Sequence, residues 1–502
     1  MRGAAITVLL LLSCGALAFA DDKEIDDVEV EEFSFGSMSI GQAKDVDYAR
    51  AEGLGLVPSS PLDAYLNGIL AKLLAQSPVK NVPARVYVRA SGDWAARTTA
   101  DANIYVGLGV LLRLDNEDEV AAMLAHEASH VILGHADADV VQSIQQRAIQ
   151  LSSLASEAHE IVTGKGKKEG APPKPGAVAA VEEQSQALLL NTMLIVPAWT
   201  RDQENDADRL GTDLLVRAGY SPQGMVSLLR KQKTFESERD PKAMALDKQI
   251  LGVDLNDKIQ EQTRNAARKI GVDDPGVGKL AGGAIGKVFE WGAKQVDGVQ
   301  RSHPKTEDRI VAVQEYVSEE YEEDGSRALQ VESWEAAKEQ DGTVDILENY
   351  IAAIEAKSKL TEGDIAAARK LSKASLMGVT RAHAYPNFVD AAVNRAAGNP
   401  DQAQADYQTA LAGPEPAGAI YSEASVLFLE EGKRDKAVQV IESGYTRLQE
   451  PPSLTVPLIR TYRLVGRKSD AERLATECAV RWPKMQQLCS AEARGTAKDG
   501  NE

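Results

Sequence analysis

The stretch His126-Glu127-Ala128-Ser129-His130 holds two imidazoles and a carboxylate at a spacing that can do chemistry. It lies in a run from Glu119 to His126 that is rich in helix formers and free of Gly and Pro. On a helix, residues four apart share a face, so His126 and His130 can aim at one ion with Glu127 beside them. Two ring nitrogens one turn apart form half of a tetrahedral zinc site, and one zinc ion per chain is the expected cofactor. A carboxylate next to the first histidine can take a proton from water activated at the ion. His-Glu-x-x-His also arises by chance in long chains. Here, though, three of the 6 histidines, His126, His130 and His135, fall within ten residues. Val120, Leu124, Val131 and Leu133 give the run an apolar side. Glu117, Asp118 and Glu119 load its start with negative charge, where the helix dipole favours it.

A second stretch, Glu204-Asn205-Asp206-Ala207-Asp208, lies in a helix that continues through Leu210, Leu214 and Leu215 to Gly219, a good C-cap residue. Glu204 and Asp208 share a face. Glu204 can supply a third zinc ligand, and Asp208 can accept a hydrogen bond from a ligand histidine and fix its tautomer. Taken alone, the pair reads better as a solvated acidic face. The metzincin pattern wants Gly three and His six residues after the second ligand, where this chain has Leu133 and Ala136. Glu204 is therefore preferred over His135, which reads as a structural or ligand-orienting residue.

Stepping N-terminal, Pro61 opens a helix with Ala64, Leu66, Ile69, Leu70, Leu73 and Leu74 at helical spacing. Ala84 to Val88 alternates like a strand, and Asn103 to Val106 is a second short strand. A strand just before the histidine helix matters chemically, because an exposed sheet edge can hold an extended peptide. A Gly, Pro and Lys cluster from Gly164 to Gly176 reads as a flexible loop. The apolar run Ala187 to Trp199, broken by Asn191, Thr192 and Pro197, fits a buried helix better than a membrane span.

The chain of 502 residues has room for about three domains. Its formal charge of −19 argues against nucleic-acid binding, which needs a basic surface. Asp21 to Glu32 alone holds eight acidic residues and one lysine and reads as a solvated tract. Before it, Arg2, the apolar run Ala4 to Leu12 and the small-x-small site Ala18-Phe19-Ala20 read as a secretory signal. The alternative is a lipid anchor on Cys14, within Leu11-Leu12-Ser13-Cys14. Cleavage after Ala20 leaves Cys478 and Cys489, an even pair that suits a disulfide in an exported chain, against two free buried thiols.

Together the motifs resemble the M48 family of zinc metallopeptidases, the gluzincins. His126-Glu127-x-x-His130 followed by Gly134-His135 resembles the first family motif. Glu204-x-x-Ala207-Asp208, with Ala218-Gly219-Tyr220-Ser221-Pro222, resembles the second. Ser302-His303-Pro304-x-x-x-x-Arg309 resembles a third, found in the periplasmic branch that carries a repeat domain. The resemblance implies that His126, His130 and Glu204 bind zinc and that Glu127 is the general base. It implies that His303 can close the fourth coordination position and hold the enzyme off, against a plain loop histidine before a proline. Ser129 departs from the frequent Gly, Asp93 to Asp101 lacks the usual Gly-rich approach to the edge strand, and residues 235–300 form a longer connector than the family pattern.

The last third changes character. Gly398, Gly432 and Gly466 recur at 34 residues, and Ala403, Ala437 and Ala471 repeat with them. Gly363 and Ala368 mark an earlier copy, one residue out of step. A 34-residue helical period is the signature of tetratricopeptide repeats, which stack into a solenoid with a concave surface.

The expected fold is therefore α+β and mostly helical. It comprises a signal peptide (1–20), an acidic, partly disordered lead-in (21–59), a zincin-like metallopeptidase domain with a small sheet (60–335, insertion 235–300) and an α-solenoid of tetratricopeptide-like repeats (340–495). The expected function is that of a periplasmic zinc endopeptidase acting on misfolded or misassembled envelope proteins. Its repeats would dock substrates or the outer-membrane assembly machinery, with no nucleic acid and no membrane span after signal removal. The alternative is a chaperone-like assembly factor or scaffold whose site is plugged by His303.

Overall fold

The computed structural model describes residues 32–37, 39–52, 55–137, 199, 201–238 and 306–495. The signal segment with Cys14, nearly all of the acidic tract, the loop 164–176, the run 187–198, most of the 235–300 insertion and His303 lie outside the described residues. The first part runs α1 (Gln42–Glu52), α2 (Ser60–Leu74), β1 (Arg85–Arg89), β2 (Ala96–Thr98), β3 (Asn103–Gly107), α3 (Leu108–Leu111), α4 (Glu117–Ile132), α5 (Arg201–Arg217), α6 (Gln223–Glu238) and α7 (Thr306–Glu320). It is mostly helical, with one small three-stranded sheet.

Helix α4 carries the paired histidines, and its start is tied down on several sides. Asn116 caps it, accepting a hydrogen bond from the Glu119 N–H at 2.9 Å. The three acidic residues of its first turn are buried rather than solvated. Glu117 accepts from the hydroxyls of Tyr65 and Tyr220 at 2.7 and 3.0 Å. Asp118 accepts from the N–H groups of Ser221 and Gln330 at 2.7 and 2.6 Å. Glu119 accepts from Ser227 at 2.5 Å. Helix-dipole attraction and these donors together hold α4 against α2, α6 and the segment around Gln330. Gly224 allows the α6 contact, since a Cβ there would sit 2.5 Å from the Asp118 carbonyl oxygen.

The sheet has the order β1-β3-β2, with β1 parallel and β2 antiparallel to β3. Asn103–Val106, read as the strand with an exposed edge, is instead part of the central strand. Residues 55–57 cover the far side of β1 through Val57 N–H to Val88 O at 2.8 Å and Ala90 N–H to Gly55 O at 3.1 Å. Among the described residues the open edge belongs to β2, whose three residues are too few to show alternation in the sequence.

Part of the lead-in is helical, as α1 over Gln42–Glu52. Helix α1 is fixed mainly by polar contacts. Asp45 accepts from Thr99, Asn103 and Tyr105 at 3.0, 2.8 and 2.7 Å. Arg50 pairs with Glu415 at 2.9 Å, and Asp47 accepts from Gln449 at 2.7 Å. A helix held by distant polar partners leaves no apolar stripe to read.

The remaining helices are α8 (Val331–Glu339), α9 (Val344–Thr361), α10 (Ile365–Ala374), α11 (Ala384–Ala396), α12 (Pro400–Ala412), α13 (Gly418–Glu430), α14 (Arg434–Arg447), α15 (Pro452–Leu464), α16 (Lys468–Arg481) and α17 (Gln486–Arg494). Gly363, Gly398, Gly432 and Gly466 each sit between two helices at φ of 84, 77, 72 and 87°. The N–H of the residue after each reaches back to the carbonyl of Lys359, Asn394, Phe428 or Tyr462 at 2.8 to 2.9 Å. That is a Schellman stop, which needs a left-handed residue and so selects glycine. Ala368, Ala403, Ala437 and Ala471 are fully buried in the helices that follow. The buried apolar residues continue from α2 and α4 through Trp334 and Tyr350 to Phe388 and Leu427. Cys478 and Cys489 are joined by a disulfide linking α16 and α17. Among the described residues no helix is long and apolar enough to cross a membrane.

Candidate metal centre and active site

Helices α4 and α5 pack directly on each other. Gly211 of α5 makes the close approach, because a Cβ there would lie 3.1 Å from the His126 main-chain nitrogen. One and two turns earlier on α5, Asp208 and Glu204 face the α4 histidines. His126 Nε2 lies 3.2 Å from His130 Nε2 and 3.6 Å from a Glu204 carboxylate oxygen. The three donor atoms all fall within 4.8 Å of one another.

The far nitrogens are also engaged. His126 Nδ1 faces the Asp208 carboxylate at 2.9 Å, and His130 Nδ1 faces His135 Nδ1 at 2.8 Å. A carboxylate only accepts, so a proton on His126 Nδ1 suits this neighbour, and with it there Nε2 turns a lone pair inward. If His130 donates to His135 in the same way, its Nε2 lone pair also points inward. Two lone pairs and a carboxylate aimed at one point repel unless a cation joins them. Tetrahedral metal–nitrogen bonds of ~2.05 Å place two ligand nitrogens ~3.3 Å apart, close to the observed separation. The donor set therefore fits a zinc-type ion.

Around this set, Arg309 of α7 is buried and gives Asp208 two parallel hydrogen bonds at 2.8 and 2.7 Å. Its remaining nitrogen lies 3.0 Å from the Glu204 carboxylate. Burial works against the Asp208 charge, but the Arg309 guanidinium, with help from His126, outweighs it and brings the pKa down to about 2. The same two carboxylates hold Arg309 firmly protonated despite its burial. Burial and the neighbouring His126 and His135 push His130 well below the ordinary imidazole range. Trp199 stacks on the His130 ring, with centroids 4.4 Å apart. Glu127 is buried, which raises its carboxyl against the opposing pull of His126 and Thr98. The Thr98 hydroxyl lies 2.9 Å from Glu127 Oε2.

The structure thus brings together His126, Glu127, His130, His135, Glu204 and Asp208, while His303 lies outside the described residues. Three contributors have no role in the sequence reading. Arg309 appears there only as the end of a motif, Trp199 only as the end of an apolar run, and Thr98 carries no signal at all.

A His-Glu-x-x-His helix joined by a glutamate from a second helix packed on it defines a metallopeptidase of the glutamate-ligand class. Residues 61–317, just over half of the chain, match Peptidase family M48, and the chain belongs to that family. The Beta-barrel assembly-enhancing protease of Escherichia coli (strain K12) is 26% identical over 230 residues, 45% of this chain and 45% of its own. The protein of that name from Yersinia pestis is 26% identical over 170 residues, 34% of this chain and 32% of its own. Metalloprotease YcaL of E. coli (strain K12) is 29% identical over 170 residues, 34% of this chain and 59% of its own. The match spans less than half the length of the two assembly-enhancing proteases.

Proposed function

We propose that this chain is a zinc-dependent endopeptidase of the cell envelope that acts on unfolded or misassembled proteins. The observation that carries the reading is the convergence of His126, His130 and Glu204 on one point, with Glu127 next along the helix. Zinc, when bound, supplies a Lewis acid for the scissile carbonyl and acidifies water for attack. His126, His130 and Glu204 hold the ion, and Asp208 and His135 orient the two imidazoles. Glu127 accepts the proton of the attacking water and delivers it to the leaving amine. The open edge of β2 takes the substrate as an added strand.

The cell-envelope setting rests on the secretory signal and on relatives whose name couples a protease to β-barrel assembly. Helices α9 to α17 are read as tetratricopeptide-type repeats that present partners or substrates. In support, the positive-φ glycines Gly398, Gly432 and Gly466 recur at 34 residues, and Ala403, Ala437 and Ala471 are buried in the helices that follow. The test is zinc-loaded full chain on casein, an unfolded protein, beside Glu127→Gln. The reading requires cleavage that a chelator abolishes and that the variant loses by ~100-fold or more, with zinc still bound. Equal cleavage by both proteins would refute it.

A further inference from the structure

Thr98 offers different parts of itself to two neighbours. Its buried hydroxyl lies 2.9 Å from Glu127 Oε2 and 3.0 Å from the main-chain oxygen of the same residue. With one proton to give, the hydroxyl shares it between the Glu127 carboxylate and main-chain oxygen, leaving Oε1 as the oxygen not engaged by Thr98. Its β-branched side chain is stiff about χ1, so the grip has a defined direction. The main chain of Thr98 faces elsewhere. Gly107 N–H bonds to Ala95 O at 2.8 Å and Thr99 N–H bonds to Asn103 O at 3.0 Å, so odd-numbered residues of this strand ladder with β3. In an antiparallel pair the alternate residues turn their polar groups the other way, which aims those of Ala96 and Thr98 at the open edge. Side chains alternate too. Arg97 lies on the opposite face, over the Tyr105 ring at 5.3 Å and 3.7 Å from Glu52 of α1. Arg97 anchors the strand from behind while Thr98 reaches forward to α4.

We infer that Thr98 is a positioning residue that couples strand-wise docking of an extended peptide on β2 to the placement of the general base Glu127. This rests on the peptidase reading above. A peptide that bonds to the main chain of Thr98 is registered against the residue whose hydroxyl sets the Glu127 carboxylate. Removing the hydroxyl leaves the docking groups intact and frees the base. The effect therefore falls on turnover and spares substrate binding, a split that a purely structural role would not produce.

The test is steady-state cleavage of fluorescein-labelled casein by zinc-loaded full-length chain carrying Thr98→Val or Thr98→Ser, with zinc stoichiometry and Tm measured alongside. Thr98→Val should lower kcat by ~10- to 100-fold, the size of one hydrogen bond to a charged group. KM should stay within about twofold and metal content as in the parent, with Tm lowered by only a few degrees for the one buried hydrogen bond lost. Thr98→Ser, which restores the hydroxyl, should recover kcat to within about threefold. A wild-type kcat in Thr98→Val, a loss confined to KM, or a serine variant as impaired as the valine one would overturn the inference. Should the valine protein not fold, Thr98→Cys, a weak donor, replaces it under the same criteria. A wild-type chain that binds zinc and cleaves nothing sinks the peptidase reading and this inference together. A wild-type chain that cleaves no faster than Thr98→Val sinks this inference alone.

Discussion

Arg309→Met removes the guanidinium that spans Glu204 and Asp208 and leaves two buried carboxylates facing the histidines. The size of the effect follows from the geometry. Arg309 reaches Asp208 through two hydrogen bonds and Glu204 through a third contact, all at 3.0 Å or less. Asp208 alone is held at about 2 against an ordinary 3.8, which corresponds to about 2 kcal/mol. Breaking a buried pair by deleting one partner costs ~3–5 kcal/mol, because the other charge stays behind unpaired. For a unit of this size that is a fall in Tm on the order of 10 °C. A variant that binds zinc less tightly is stabilised less by it, so the deficit should be larger with zinc than in chelator. Zinc affinity should itself fall by ~10- to 100-fold, as when other groups that orient metal ligands are removed. Arg309→Lys should be intermediate, keeping the charge and losing the planar fork. Calorimetry in chelator and in zinc, with a competing zinc dye, measures both quantities. A methionine variant within 2 °C of the parent and with unchanged zinc affinity would show that Arg309 does not hold this site together.

Other consequences are more local. The folded-state pKa of Asp208 is depressed, so its contribution is present above pH ~4 and disappears as pH falls through about 2. The urea midpoint of the parent minus that of Asp208→Asn should shrink across that window, and a difference independent of pH would contradict the assignment. Gly418→Ala would place a Cβ 2.3 Å from the Ala51 carbonyl oxygen, so α1 must lift from α13. The expected cost is ~1–3 kcal/mol, with faster tryptic cleavage at Arg50, and no change in either would rule out this packing. Reducing the Cys478–Cys489 bond, which closes a separation of 11 residues, should destabilise α16 and α17 by about 2–3 kcal/mol. Amide exchange should rise in those two helices and leave α4 untouched.

What the sequence determined is what lies within a few residues of itself. His126 and His130 are four apart on a helix former's run, so they share a face in any fold that keeps that helix. Glu204 and Asp208 share a face for the same reason. The glycines at 34-residue spacing mark helix stops because a left-handed residue is a local requirement, and all of them adopt positive φ. The family resemblance was legible because its motifs are runs of this kind.

Tertiary structure decided everything that joins distant runs. The sequence offered Glu117, Asp118 and Glu119 as a favourable charge at a helix start; only packing shows them buried, with partners as far away as Gln330. It could not distinguish Glu204 and Asp208 from a solvated acidic face, because their partners lie on α4 and α7. Arg309 is 101 residues from Asp208 along the chain, and Thr98 is 29 from Glu127. Neither contact leaves a periodicity behind, since a hydrogen bond across a fold constrains one side chain and not the pattern of its neighbours. Which strand keeps an open edge is likewise set by what covers the others, and residues 55–57 do that for β1. Spacing can encode a face, but only the packing of α5 against α4, made close by Gly211, turns two faces into one site.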